Sequence, residues 1–158
     1  MKQGKILLLK AAVYVMGIVI LCLCVFALPT LAHEAAAMNP EFAYLQYPVL
    51  IGLYLTAIPF FYALYQSLKL LNNLINNLVF SKTAVHSLGK IKHCAGSIII
   101  IYVIGMLFLV TQNALHPGVA LIGLAILFFT IMILLFSAVL QDLLKKVMSL
   151  KSENELFI

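Results

Sequence analysis

The chain has 158 residues and a formal net charge of +5. Hydrophobic residues make up 65% of it and charged residues only 9%, against roughly 45–50% and 25% in an ordinary soluble domain; the mean hydropathy is +1.14. So few charges cannot cover the surface of a soluble fold of this size, which excludes a soluble enzyme, a secreted disulfide scaffold, a disordered regulator and a free nucleic-acid-binding domain. The composition predicts an all-α integral membrane protein, with residues 1–158 forming a single membrane domain.

A bilayer core of about 30 Å takes roughly 20 apolar residues per helix. The first uncharged window lies between Lys10 and the pair His33-Glu34 and predicts a span over 11–32. Lys2, Lys5 and Lys10 ahead of an apolar run, with Thr30-Leu31-Ala32 after it, also resemble a signal peptide. The run is longer than the 7–15 residues usual for a signal core, so the span is read as retained. The second window lies between Glu41 and Lys69 and predicts a span over 45–68. From Cys94 to Gln141 there is no formal charge; as one helix this stretch would reach about 70 Å, more than twice the membrane. It must fold back, and Thr111-Gln112-Asn113-Ala114-Leu115-His116-Pro117-Gly118 gathers the polar residues, proline and glycine of a turn. Spans three and four are therefore placed at 94–112 and 118–141, giving four transmembrane helices.

All ten basic side chains are lysines. Lys2, Lys5 and Lys10 precede span one; Lys69, Lys82, Lys90 and Lys92 fall in the loop 69–93; Lys145, Lys146 and Lys151 fall in the tail 142–158. The loops 33–46 and 113–117 have none. The positive-inside rule then places both termini and the middle loop in the cytoplasm. The charge is a topology signal: with no Arg and the lysines spread over three segments, direct nucleic-acid binding is not expected, and anionic inner-leaflet lipid is the simpler attraction.

No Asp, Glu, Lys or Arg falls within a predicted span, which argues against a proton-coupled exporter. In the second span Pro48 suits a first turn, while Pro59 removes a hydrogen bond mid-helix and is expected to kink it, with Thr56 placed to bond a freed carbonyl. Tyr47, Tyr54, Phe61 and Tyr65 share a face. Packing is the plain reading of such a stripe; the sharper one is a ligand groove of Tyr54, Pro59, Tyr62 and Tyr65. Cys22 and Cys24 point too far apart on a helix to pair, and they sit mid-span while Cys94 sits at the inner surface, so the cysteines read as apolar filler. Motifs for metalloprotease, serine hydrolase, nucleotide-binding and zinc sites are absent, and the chain is read as no enzyme, with no catalytic residue, cofactor or metal. His33, Glu34, Glu41 and His116 are an acceptable ligand set by type but unspecific in spacing. Without a GxxxG, and with Ala114-xxx-Gly118 in the turn, no helix-packing motif is apparent.

On the lysine-bearing side, Ser81 is placed as an N-cap with Phe80 and Val85 as a hydrophobic staple. At 100° per residue, Lys82, His86, Lys90 and His93 fall within about an 80° arc, opposite Ala84, Leu88, Ile91 and Ala95. This predicts a short amphipathic cationic helix leading into span three. It lies on anionic lipid or serves as a docking face for a partner. Leu143, Leu144, Val147 and Leu150 continue an apolar stripe past span four. The acidic-then-apolar end Glu153-Asn154-Glu155-Leu156-Phe157-Ile158 packs beneath the bundle or inserts into a partner.

Three stretches carry a family resemblance: Asn39-Pro40-Glu41-Phe42-Ala43-Tyr44-Leu45-Gln46-Tyr47-Pro48-Val49-Leu50-Ile51-Gly52-Leu53-Tyr54; Ile58-Pro59-Phe60-Phe61-Tyr62-Ala63-Leu64-Tyr65-Gln66; and Ala138-Val139-Leu140-Gln141 followed by Lys151-Ser152-Glu153-Asn154-Glu155-Leu156. Together they resemble the bacterial YoaS-like membrane proteins, domain of unknown function 2975, over nearly the whole chain. The resemblance implies a multi-pass bacterial inner-membrane protein with four helices and supplies no catalytic residues. Its genes often neighbour a small helix-turn-helix regulator. The leading expectation is a non-enzymatic regulatory or sensor protein, its docking face Lys82, His86, Lys90 and His93 serving a soluble DNA-binding regulator. The alternatives are a small-molecule or lipid-binding transporter or immunity-type protein, and a structural subunit of a larger complex. The expected partners are the lipid bilayer and that regulator, and the oligomeric state is left open.

Overall fold

The computed structural model describes residues 2–76 and 81–157, which are helical almost throughout. Its helices are α1 (Lys2–Cys22), α2 (Leu28–Met38), α3 (Gln46–Ile75), α4 (Lys82–Thr111) and α5 (Pro117–Phe157). A π-helical turn, Leu23–Ala27, joins α1 to α2, and a 3-10 turn, Pro40–Leu45, leads into α3. Four helical stretches are long and apolar enough to cross a membrane: Gly4–Met38, Pro40–Ile75, Lys82–Thr111 and Pro117–Asn154. Each overlaps one of the windows read from the sequence.

The helices overrun those windows. The loop expected over 69–93 is helix to Ile75 and again from Lys82, and the stretch 82–95 is the first half of a 30-residue helix, not a separate short one. The tail expected over 142–158 is helical through Phe157. An apolar window measures only the hydrocarbon crossing, whereas Lys, Leu, Glu and Gln outside it still favour helix. The 41 residues of α5 reach about 60 Å, twice the hydrocarbon thickness. Leu156 at their far end is 82% exposed, so it does not pack beneath the bundle.

The helix ends follow local chemistry. Ser81, in an extended conformation, caps α4 by accepting the Ala84 N–H at 3.2 Å; its staple partner Phe80 lies outside the described residues. At the other end Asn113 takes φ 55°, the left-handed conformation that Asn tolerates better than most residues. The Asn113 N–H bonds Val110 O and the Ala114 N–H bonds Leu109 O, which is a Schellman motif closing α4. His116 then caps α5: its Nδ1 accepts the Gly118 N–H at 3.1 Å, ahead of Pro117 in the first turn.

The packing order places α3 between α1 and α4, and α4 between α3 and α5. Neighbours run antiparallel. Tyr54 reaches Cys24, while Gly17 faces Leu64. Tyr44 bonds Gln112, while Lys90 stands over Tyr62. Gly89 faces Gln141, Gly96 faces Leu134, and Gly123 faces Met106. All three lysine clusters therefore lie at one end of the bundle, and the turns around Pro40 and His116 lie at the other.

The pattern of burial is inverted relative to a soluble protein. Large apolar side chains such as Leu8, Phe26, Ile58, Leu121 and Phe136 face outward, as lipid requires. Thr56, Gln66, Ser87, Thr130, Ser137 and Gln141 are buried between helices. Lipid tails are as apolar as leucine, so helices associate in a membrane through close approach and interhelical hydrogen bonds. The α4–α5 seam is built that way. Gly123, Thr130 and Ser137 recur every seven residues along α5 and are all buried. A Cβ at Gly123 would stand 2.9 Å from Met106 Sδ. Among the described residues the most buried large side chain is Gln66, at 1% exposure, and its Nε2 has no partner there.

The π turn has a cause and a consequence. Pro29 has no N–H. The Leu28 N–H bonds Leu23 O, five residues back, so the Cys24 carbonyl loses the Leu28 donor and meets a proline next. Tyr54 of α3 supplies the missing donor: its hydroxyl reaches Cys24 O at 2.6 Å. Inside α3, Thr56 bonds Leu53 O at 2.7 Å, whereas the carbonyl freed by Pro59 is that of Leu55. The Pro59 ring sits within an otherwise unbroken helix. Replacing Tyr54 with Phe leaves the Cys24 carbonyl without its donor; unfolding in mixed micelles is expected to show a loss of about 1 kcal/mol, and an unchanged stability would show that the bond contributes nothing.

Candidate functional site

The lysine-bearing end holds a cleft of about 510 Å³ between the first turns of α4 and the extension of α5. Its position follows from the membrane crossing. Counting about 20 residues from Thr111 along α4 and from Pro117 along α5 exhausts the hydrocarbon near residues 92 and 137. The cleft residues, 82–93 on α4 and 141–148 on α5, begin where the crossing ends.

The four docking residues expected from the sequence are brought together here. Lys82, His86, Lys90 and His93 all line the cleft; Lys90 is half-buried and the other three are exposed. The opposite side of the helix is packed: Ala84, Leu88, Ile91 and Ala95 are 7% exposed or less. The 100° arithmetic that separated the two sets thus corresponds to an outward and an inward side.

The second wall and the floor come from residues not singled out as a site. Gln141 of α5 is buried. Its Oε1 accepts from Lys92 Nζ at 3.1 Å, and its Nε2 donates to Val85 O at 3.2 Å. Gly89 makes this possible. It lies one turn beyond Val85, and a Cβ there would stand 2.7 Å from Gln141 Nε2. The Gln141 amide thus ties α4 to α5 under the cleft and turns the Lys92 ammonium toward α5. Lys145 and Met148 complete the wall beside Val85. The signal was present in the sequence: a tight turn at 112–116 sets α5 antiparallel to α4 and brings residue 141 opposite residue 89.

The proposed groove residues separate. Tyr54 is turned to α1 by its bond to Cys24 O. Tyr62 and Tyr65 lie further along α3 with ring centroids 6.5 Å apart, both exposed. Pro59 is half-buried between these levels. Lysines cover the two lower rings: Lys90 Nζ is 5.8 Å from the Tyr62 centroid and Lys69 Nζ is 5.5 Å from that of Tyr65. Tyr62 is thereby joined to the edge of the cationic cleft and not to Tyr54. Cys22, Cys24 and Cys94 are free thiols. His33, Glu34, Glu41 and His116 are not gathered, and no group of three metal-ligating side chains exists among the described residues.

The Gly89–Gln141 contact predicts a specific non-additivity. Alanine in place of helical glycine is ordinarily worth about 1 kcal/mol, and losing the Gln141 hydrogen bonds costs a similar amount. Gly89→Ala is therefore expected to stabilise the Gln141→Ala protein and to give no net gain in the native background. Equal effects in both backgrounds, measured by reversible unfolding, would show that the contact is not under constraint.

The family model described as Protein of unknown function (DUF2975) matches residues 30–158. The Uncharacterized membrane protein YoaS of Bacillus subtilis (strain 168) is 44% identical over 160 residues, an alignment that covers all of both chains. No solved structure matches. With a family match over most of its length and a full-length relative described as a membrane protein, the chain belongs to the DUF2975 family.

Proposed function

We propose that this chain is a non-enzymatic regulatory protein of the bacterial inner membrane that acts through its lysine-bearing end. Both termini and the lysine-bearing stretch 69–93 face the cytoplasm, since all ten lysines fall at that end and the opposite turns hold none. The partner is a soluble protein with an acidic face, read as a small helix-turn-helix DNA-binding regulator. The protein holds this partner at the membrane or releases it.

The observation that carries this reading is the two-sidedness of the first half of α4. Its apolar side is consumed by packing, while Lys82, His86, Lys90 and His93 line an open cleft beyond the hydrocarbon. A helix that served only to cross the bilayer needs no such organised cationic face outside it. The extension of α5 lengthens the surface with Lys145, Lys146 and Lys151, all exposed. Complementary charge of this kind chiefly governs encounter and selectivity, and is weakened by salt.

The test reverses charge at Lys82 and Lys90 together. Recruitment of the neighbouring regulator to vesicles carrying the full chain is expected to fall by roughly five- to thirtyfold, given about 1–2 kcal/mol from a pair of rim charges, and to fall in the unmodified protein as salt rises. Recruitment that is unchanged by the double reversal would remove the docking face.

A further inference from the structure

We propose that the membrane-proximal part of the α4–α5 cleft binds the phosphate headgroup of an anionic phospholipid, held between Lys90 and Lys145. This goes beyond the docking reading and does not depend on a soluble partner.

Direction is the first reason. A side chain on an α-helix leans toward the N-terminus of its own helix. The N-terminus of α4 lies at the lysine-bearing end, so Lys90 leans away from the hydrocarbon. The N-terminus of α5 lies across the membrane, so Lys145 leans back toward it. Residue 145 stands opposite residue 85 in the antiparallel register, about one turn beyond Lys90. The two side chains therefore leave their backbones toward a common level of the cleft that both line, with Lys90 Nζ resting at its Tyr62 edge.

Charge is the second. No carboxylate lines the cleft among the described residues. Asp142, the nearest acid in sequence, is exposed and outside the lining. Lys92 is already engaged by Gln141, and His86 and His93 add donors at the rim. Lys90 has only the face of Tyr62 beside it, and with no carboxylate in the lining this concentration of positive charge calls for an anion.

Depth decides which anion. The site begins at the level where α4 and α5 leave the hydrocarbon, and phospholipid phosphates are concentrated at that level. Val85 and Met148 form an apolar wall beside the lysines. Tyr62 and Tyr65, beneath Lys90 and Lys69, are the aromatic side chains typical of the interface. An apolar wall and tyrosines suit an amphiphile better than a fully hydrated free ion.

The experiment titrates purified full-length protein in neutral detergent with fluorescent phosphatidylglycerol and then displaces the probe. Unlabelled phosphatidylglycerol is expected to displace it, phosphatidylcholine to do so poorly, and millimolar inorganic phosphate not at all. The Lys90→Gln/Lys145→Gln protein is expected to bind about tenfold more weakly or worse, from two lost phosphate contacts. The Lys146→Gln/Lys151→Gln protein loses the same charge outside the cleft and is expected to bind as the native chain does. Equal weakening in the two double variants would reduce the effect to net charge and overturn the site. Displacement by inorganic phosphate or phosphatidylcholine as readily as by phosphatidylglycerol would overturn the lipid assignment. A third variant, Lys90→Arg/Lys145→Arg, keeps both charges and is expected to retain binding, which separates loss of the site from loss of the fold. The assay contains no regulator, so its failure leaves the docking reading untouched, and failure of recruitment leaves the lipid site untouched.

Discussion

The close approach of α4 and α5 is the contact from which the lysine-bearing end takes its form. In lipid there is no hydrophobic gain in bringing two apolar helices together, so they hold only where small side chains let the backbones approach and polar groups bond across. The repeat of Gly123, Thr130 and Ser137 supplies the small side of that seam. Gly89 opens the Val85 carbonyl to Gln141, and Gln141 in turn takes the Lys92 ammonium. One buried amide thus settles the helix spacing and the direction of a lysine at the same time.

The same rule, that no backbone group in lipid goes unpaired without cost, accounts for the other half of the bundle. Pro29 withholds a donor and the helix answers with a π turn. The carbonyl this exposes at Cys24 is claimed by Tyr54 from the neighbouring helix. A residue that reads as part of an aromatic stripe is in fact a hydrogen-bonding tie between the π turn after α1 and α3. Its position in the stripe reflects packing against α1, and its hydroxyl makes that packing specific.

The lysine-bearing end inherits its geometry from the seam. The two helices stay in close contact as far as Gly89 and Gln141. α5 then continues past the start of α4, and Lys82, Lys90 and Lys145 line a cleft above that contact. An outward-facing lysine surface and a cleft beside it are then two consequences of one construction: antiparallel helices of unequal length that end together at the lysine-bearing side.

Much of this was legible in the residues. The four crossings follow from charge-free windows and a Pro-Gly turn, because a membrane imposes a minimum apolar length that composition alone reveals. The two sides of the first half of α4 follow from a 100° step, and the Ser81 cap from the chemistry of an unpaired helix N-terminus. The overlong helices were not legible, because charges end an apolar window without ending a helix. The packing seam was missed because its small residues recur every seven positions, with no four-residue GxxxG spacing to mark it. The separation of Tyr54 from Tyr62, and the union of Gln141 with Gly89 and Lys92, were decided by the tertiary structure alone. Sequence periodicity assigns a residue to a face of its own helix, and only the antiparallel register between helices determines what that face meets.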